Sequence, residues 1–506
     1  MVLGTGSDAG KSLTVAALCR ILRQDGLSVA PFKAQNMALN SFATLEGHEI
    51  GRAQAMQAEA AGIAPHVDMN PILLKPTSDI GSQVILNGKV LGNFKGVDYY
   101  GLKDQLMSTV SDAYQRLASR YDVIVLEGAG SPVEMNLKDR DVVNMKMAEV
   151  ADARCILVAD IDRGGVFASL VGTYSLLEPD ERNRFCGFLI NKFRGDLSLF
   201  TSGVDYLEQK LAQPCLGVVP YLYNHGIDDE DSVSIERRQV AAPSIDDKRL
   251  SVCVLAYPYL SNFTDFTALE QQENVVVYYS RKPEDARVAD VLILPGSKNT
   301  VSDLLWLKNN GWQDAIERHI ASGKPVLGIC GGFQMLGRAI SDPHRTESNV
   351  EAVNALGIMQ IETTLDRDKI TRQALATLHD SNELLFSGYE IHLGDTRLGA
   401  NVTPLFRLQR VGDATWREDG AVTHDGRVMG TYLHGLFDNL GGLKWILDKW
   451  RHTCGKPSLE TTMIDPKAER ERRYDALADH FRRHLNMDVI YRATSSEQKG
   501  IASNVR

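Results

Sequence analysis

Two short stretches of this chain carry residues able to make or break bonds. The first is Gly4-Thr5-Gly6-Ser7-Asp8-Ala9-Gly10-Lys11-Ser12. Glycines in such a loop let backbone N–H groups turn inward onto phosphate oxygens, the lysine reaches the β/γ-phosphates, and the terminal hydroxyl can hold Mg²⁺. Gly4, Thr5, Gly6, Gly10, Lys11 and Ser12 therefore read as a nucleotide site, with Ser12 as a metal ligand. The second stretch is Gly328-Ile329-Cys330-Gly331-Gly332-Phe333-Gln334, whose cysteine directly follows the apolar Pro325–Ile329. A cysteine between glycines on a strand-to-helix turn is exposed to attack a substrate, and the helix N-terminus favours both thiolate and oxyanion. A thiol nucleophile needs a base, and Thr431-Tyr432-Leu433-His434-Gly435-Leu436-Phe437 offers His434. Gly296 and Ser297, in Leu294-Pro295-Gly296-Ser297-Lys298-Asn299, complete an oxyanion hole with the N–H of Gly331.

These groups must be positioned by buried strands. Runs rich in Val, Ile and Leu recur at Ser28–Phe32, Val123–Leu126, Cys155–Ala159, Gly187–Ile190 and Leu216–Val219, between longer amphipathic stretches. That alternation predicts βαβ units and a parallel sheet, with a first helix from Lys11 to Asp25. Open sheets of this type bind ligands beyond the carboxyl ends of their strands, where further polar residues fall here. Lys33, Gln35, Asn36 and Asn40 follow the second strand, and Glu127 follows Val123–Leu126 as the second metal-ligand candidate. Asp160, Asp162 and Arg163 follow Cys155–Ala159, and Asn191 follows Gly187–Ile190. Gln35, Asn36, Asn40, Asp160, Asp162 and Arg163 are candidates for the substrate side. Only Met1, Val2 and Leu3 precede the loop, which predicts an unusually short or truncated first strand.

Strands Leu250–Ala256, Asp290–Leu294, Pro325–Ile329 and Val428–Tyr432 predict a second α/β unit. The division expected is 1–225 for the ATP-dependent unit, an acidic linker over 226–249, a second unit over 250–448, and a helical extension with a polar tail over 449–506. Its helix, Pro466–Leu485, reads as packing or a solvated face. The chain has 506 residues with 55 Lys+Arg against 65 Asp+Glu, a formal net charge of −10. An acidic balance argues against coating nucleic acid, and no apolar run is long enough for a membrane span. Seven cysteines without paired spacing fit a reducing cytoplasm, and six of them read as small buried hydrophobes. Nothing in the sequence speaks to oligomeric state.

The first loop, one residue longer than G-x-x-x-x-G-K-[ST], resembles that of dethiobiotin synthetase and its relatives, which activate a carboxylate with ATP. Gly-x-Cys-x-Gly-x-Gln resembles the nucleophile motif of the triad-type glutamine amidotransferases. In most of those relatives a glutamate two residues after the histidine orients it. Here that position is Leu436, so the expected site is a Cys330–His434 dyad of low stand-alone glutaminase activity. Together the motifs imply ATP-dependent amidation with ammonia taken from glutamine.

The strings GTGSDAGKS, FKAQNMALNS, EGAGSPVEMNL, ADIDRGGVFAS, NKFRGD, LPGSKNT, GICGGFQMLG, GYEIHLG and TYLHGLF, in this order, resemble the cobyric acid synthase family from Gly4 to about Asp448. The absent glutamate is in keeping with that subgroup. The resemblance implies amidation of the b, d, e and g carboxylates of adenosylcobyrinic acid a,c-diamide, with ATP and Mg²⁺ as cofactors and glutamine as nitrogen donor. It implies Lys11 and Lys33 on the transferring phosphoryl group, Ser12 and Glu127 on the metal, Asn191 on adenine, and Gln334 in the glutamine site. Three alternatives stay open: the two-amide relative cobyrinic acid a,c-diamide synthase, against which FKAQNMALNS and NKFRGD weigh; a partitioning-type ATPase switch; and a chain whose cysteine unit is merely structural.

Overall fold

The computed structural model describes residues 1–494 except 79, 80, 96, 97, 100, 224, 228–247, 349, 382 and 459–461. The expected linker therefore lies mostly outside the described residues, as does the tail from Ser495. In the first unit β1 (Val2–Gly4), β2 (Val29–Phe32), β3 (Val123–Leu126), β4 (Cys155–Asp160), β5 (Phe185–Phe193) and β6 (Cys215–Pro220) are all strands. β1, β4, β5 and β6 pair in parallel in that order. β2 pairs in parallel with β3, which joins β1 through a Val2–Glu127 bridge. Each strand is apolar along nearly its whole length because helices cover both faces. The three-residue β1 suffices because it lies between two partners, with Val2, Leu3 and Gly4 in register with Ile156, Leu157 and Val158.

The second unit carries β7 (Leu250–Leu255), β8 (Val275–Ser280), β9 (Val291–Leu294) and β10 (Val326–Ile329). Two long antiparallel strands follow, β11 (Ile361–Leu378) and β12 (Leu384–Leu398), and then β13 (Val428–Thr431). The main sheet runs β8, β7, β9, β10, β13, all parallel, before two short antiparallel edge strands. The β11–β12 hairpin was not foreseen from the apolar runs. Its first strand alternates instead: Ile361, Thr363 and Leu365 are buried while Glu362, Thr364 and Asp366 are exposed, the pattern of a sheet with one wet face.

Helix α1 (Lys11–Gln24) opens at Gly10, and α2 (Arg52–Ala61) packs beside it. The chain's last long helix, α3 (Pro466–His484), returns to the first unit and lies on α1. Tyr474, Leu477, Ala478 and Phe481 are buried in one core with Val15, Leu18 and Leu22. Arg20 fixes the crossing by reaching both Glu471 and Asp475 at 2.8 Å. The charge-rich helix thus packs by one face and is solvated on the other.

No helix among the described residues is long and apolar enough to cross a membrane. All seven cysteines are free, and burial pushes the thiols of Cys19, Cys155 and Cys253 up, as expected for inert core residues.

Candidate active sites

At the carboxyl ends of β1, β2 and β3 the phosphate loop meets a buried carboxylate. Lys11 Nζ donates to the Gly6 carbonyl at 2.8 Å and the Gly130 carbonyl at 3.1 Å, so the ammonium is held inside the loop. Glu127 has a side chain that is 0% exposed, and three groups converge on it. Ser12 Oγ donates to its Oε1 at 2.8 Å and Lys33 Nζ to the same oxygen at 2.9 Å, while Gln57 Nε2 donates to Oε2 at 2.5 Å. Gln57 escaped the sequence reading. Its signal was faint: Gln54 and Gln57 stand three apart on an alanine-rich helix and are both fully buried.

Among the described residues no three His, Cys, Asp or Glu side chains gather into a metal-binding group. The oxygens of Ser12 and Glu127 nevertheless suit Mg²⁺. That ion takes one or two protein oxygens and completes its shell with phosphate and water.

Several strand-end residues brace the loop. Asn191 Nδ2 donates to the Ala9 carbonyl at 3.0 Å. Gly10 sits at φ +96°, and a Cβ there would lie 2.0 Å from that same Nδ2, so the close approach requires glycine. The Asn191 amide thus reaches the loop backbone. Arg163 Nη2 pairs with Asp8 at 2.5 Å, and Lys192 links Asp160, at 2.9 Å, to the Asp8 carbonyl. Asp162 pairs with Arg194 at 2.6 Å. Asn36 donates to Gln54 at 2.9 Å, Gln35 accepts from Tyr99 at 2.5 Å, and Asn40 is 1% exposed beside the strand Ser41–Ala43.

In the second unit Cys330 ends β10 at φ 52°, ψ −109°, a strained conformation for a residue with a side chain. The turn has no room to relax: a Cβ on Gly332 would fall 1.9 Å from the Leu294 carbonyl. A Cβ on Gly331 would come within 3.0 Å of the Ser297 backbone N, and one on Gly296 within 3.3 Å of His434 Cε1. Cys330, Gly331, Gly296, Ser297 and His434 are therefore brought together. Gln334 lies one turn along, its Nε2 donating to Tyr432 at 3.2 Å while its buried Oε1 has no hydrogen-bond partner among the described residues.

His434 has a carboxylate partner that the expected dyad lacks: Asp265 Oδ2 accepts from His434 Nδ1 at 2.7 Å and its Oδ1 from the Gly435 N–H at 3.1 Å. The other imidazole nitrogen remains for the Cys330 sulfur, whose proximity also favours the charged ring. Burial opposes a charge on the ring, but Asp265 and the Cys330 sulfur outweigh it and hold His434 up to about 10. Asp265 comes from a one-turn helix, Phe263–Phe266, 169 residues before His434. Sequence reading missed it because no fixed spacing links it to the histidine.

Residues 1–228 match the CobQ/CobB/MinD/ParA nucleotide binding domain family, and residues 251–441 match the CobB/CobQ-like glutamine amidotransferase domain family. Curated relatives align along almost the entire chain. A protein of Syntrophobacter fumaroxidans named cobyric acid synthase is 49% identical over 97% of this chain and 98% of its own length. Proteins of the same name from Streptococcus sanguinis and Phocaeicola vulgatus are 49% and 47% identical, covering 99% and 98% of this chain and 99% and 98% of theirs.

Proposed function

The chain belongs to the cobyric acid synthase family, and from that premise we propose how its two sites divide an ATP- and glutamine-dependent amidation. The acceptors are the b, d, e and g carboxylates of adenosylcobyrinic acid a,c-diamide, each activated in the first unit, residues 1–225, as an acyl phosphate. The carrying observation is that one chain holds both a phosphate loop closed on a buried Glu127 and a Cys330–His434–Asp265 relay.

In the first unit the substrate carboxylate attacks the γ-phosphorus of ATP. Lys11 and Lys33 offset the charge spread over the transferring phosphoryl oxygens, and the loop N–H groups orient them. Ser12 and Glu127 would hold Mg²⁺, which when bound shields triphosphate charge. Gln57 and Lys33 hold the Glu127 carboxylate in place through their hydrogen bonds to its two oxygens. Ammonia then displaces phosphate from the acyl phosphate.

In the second unit, residues 250–448, the Cys330 sulfur attacks the glutamine amide carbon, and the oxyanion that forms accepts from backbone N–H groups near Gly331 and Ser297. The His434 imidazolium gives its proton to the departing ammonia and then takes one from the water that hydrolyses the thioester to glutamate. The unpartnered Oε1 of Gln334 is available to the α-ammonium of glutamine. Asp265 fixes the tautomer and stabilises the imidazolium.

Asp265→Asn is accordingly expected to lower glutamine-dependent kcat by about 10³- to 10⁴-fold, because the amide no longer demands the Nδ1 proton. The sign of the pH effect follows from the raised imidazole. In the native chain His434 stays protonated up to about 10, so glutaminase activity declines only above that. In the variant the alkaline limb moves toward the ordinary histidine range, and an unmoved limb in a glutamate-release assay would refute the assignment.

Mass spectrometry of the product formed from the a,c-diamide, ATP and glutamine tests the proposal as a whole. Each amidation shifts the mass by a fixed step. Successive steps ending at the hexaamide support cobyric acid synthesis, whereas no conversion of the a,c-diamide overturns it.

A further inference from the structure

Catalytic His434 is not held by the second unit alone. Its ring stacks on Tyr389, centroids 5.3 Å apart and planes 15° from parallel, and the two residues exchange backbone hydrogen bonds of 2.8 and 3.2 Å. Tyr389 is in turn covered by Phe42 of the first unit, ring centroids 5.0 Å apart. Beside them Asn262, 4% exposed, spans the boundary between units. Its Nδ2 donates to the Tyr389 hydroxyl at 3.3 Å, and its Oδ1 accepts from the Ser41 N–H at 3.3 Å. Its carbonyl accepts from the N–H of Asp265 at 3.0 Å, so the residue gripping the Ser41 backbone also starts the turn that carries the histidine's carboxylate. Asn262 adopts φ 55°, ψ 37°, a left-handed conformation that asparagine tolerates better than most side chains.

We infer that Asn262 and Tyr389 are positioning residues for glutamine hydrolysis. Through them the first unit's Ser41–Phe42 segment aligns the His434–Asp265 pair with Cys330. This rests on the reading of Cys330 and His434 as the glutaminase site. Ser41 and Phe42 lie eight and nine residues beyond Lys33, which touches Glu127, so one continuous segment runs from the phosphate site to the base of the other site. Neither positioning residue needs to touch the reacting atoms. A misplacement of a general base by about 1 Å can cost a hundredfold in rate.

The test uses the full chain. Asn262→Gly removes both side-chain hydrogen bonds while accepting the left-handed backbone, so it separates alignment from folding better than alanine would. The expected result is a fall in glutamine-dependent kcat of about ten- to a hundredfold with an unchanged KM for glutamine and unchanged amidation from ammonium chloride. Asn262→Asp keeps an oxygen for the Ser41 N–H and another for the Tyr389 hydroxyl, and should restore most of the rate. Phe42→Leu, a change made in the other unit, should lower the same glutamine-dependent kcat.

Wild-type glutamine turnover in Asn262→Gly would overturn the inference, and so would an equal loss with ammonium chloride. A run of Cys330→Ala in parallel distinguishes the two failures. Glutamine-dependent product from that variant would remove the glutaminase reading itself. Its loss beside an unaffected Asn262→Gly would remove only the positioning roles.

Discussion

Cys330→Ala is expected to abolish amidation from glutamine, a loss of roughly 10⁴-fold or more, while amidation from ammonium chloride continues at the native rate. The loss follows from chemistry: without sulfur no thioester can form, and alignment of His434 by Asp265 has nothing to act on. The sparing follows from packing. Alanine keeps the Cβ already accommodated at φ 52°, so the elbow gains no new strain. What disappears is one sulfur hydrogen bond, to the Ile391 carbonyl at 3.5 Å, and the sulfur's electrostatic influence on His434. Glu127 and the phosphate loop stand on a different sheet and are untouched. Product analysis with each nitrogen source reads the result, and equal loss with both sources would sink the division of labour.

Lys11→Ala should instead remove product with either nitrogen source, by about 10³-fold, because activation of the carboxylate precedes the use of ammonia. Lys11 is 7% exposed and bonded to the Gly6 and Gly130 carbonyls, so its charge is held against the loop before any substrate arrives. Lys33 stays in place beside Glu127 at 2.9 Å, but a single ammonium offsets only part of the phosphoryl charge. Glutamate release measured alone reports whether the second unit still turns over. Retained product with ammonium chloride would show that the phosphate loop has been misassigned.

Local pattern in this chain carried the architecture closely. The run Val123–Leu126 is a strand with those bounds, and Val326–Ile329 ends at Cys330 as the glycines required. Lys11–Gln24 begins as a helix at the residue where the loop ends. Such elements are legible because each is defined by residues adjacent in the chain: apolar runs buried on both faces, and glycines where backbone must approach a ligand. The antiparallel hairpin of β11 and β12 was less legible, since its buried residues alternate with wet ones and form no apolar run.

The sequence by itself determined the two chemistries, because a phosphate cradle and a nucleophile elbow are each built from contiguous backbone whose conformation glycine spacing dictates. It also paired Cys330 with His434 as the expected nucleophile and base, through their residue types. Only the tertiary structure decided what surrounds them. Asp265 reaches His434 from 169 residues away, Gln57 reaches Glu127 from a neighbouring helix, and Ser41 and Phe42 meet Asn262 and Tyr389 across the boundary between units. Those partners are set by how sheets and helices pack, and packing brings together residues whose separation along the chain has no fixed value.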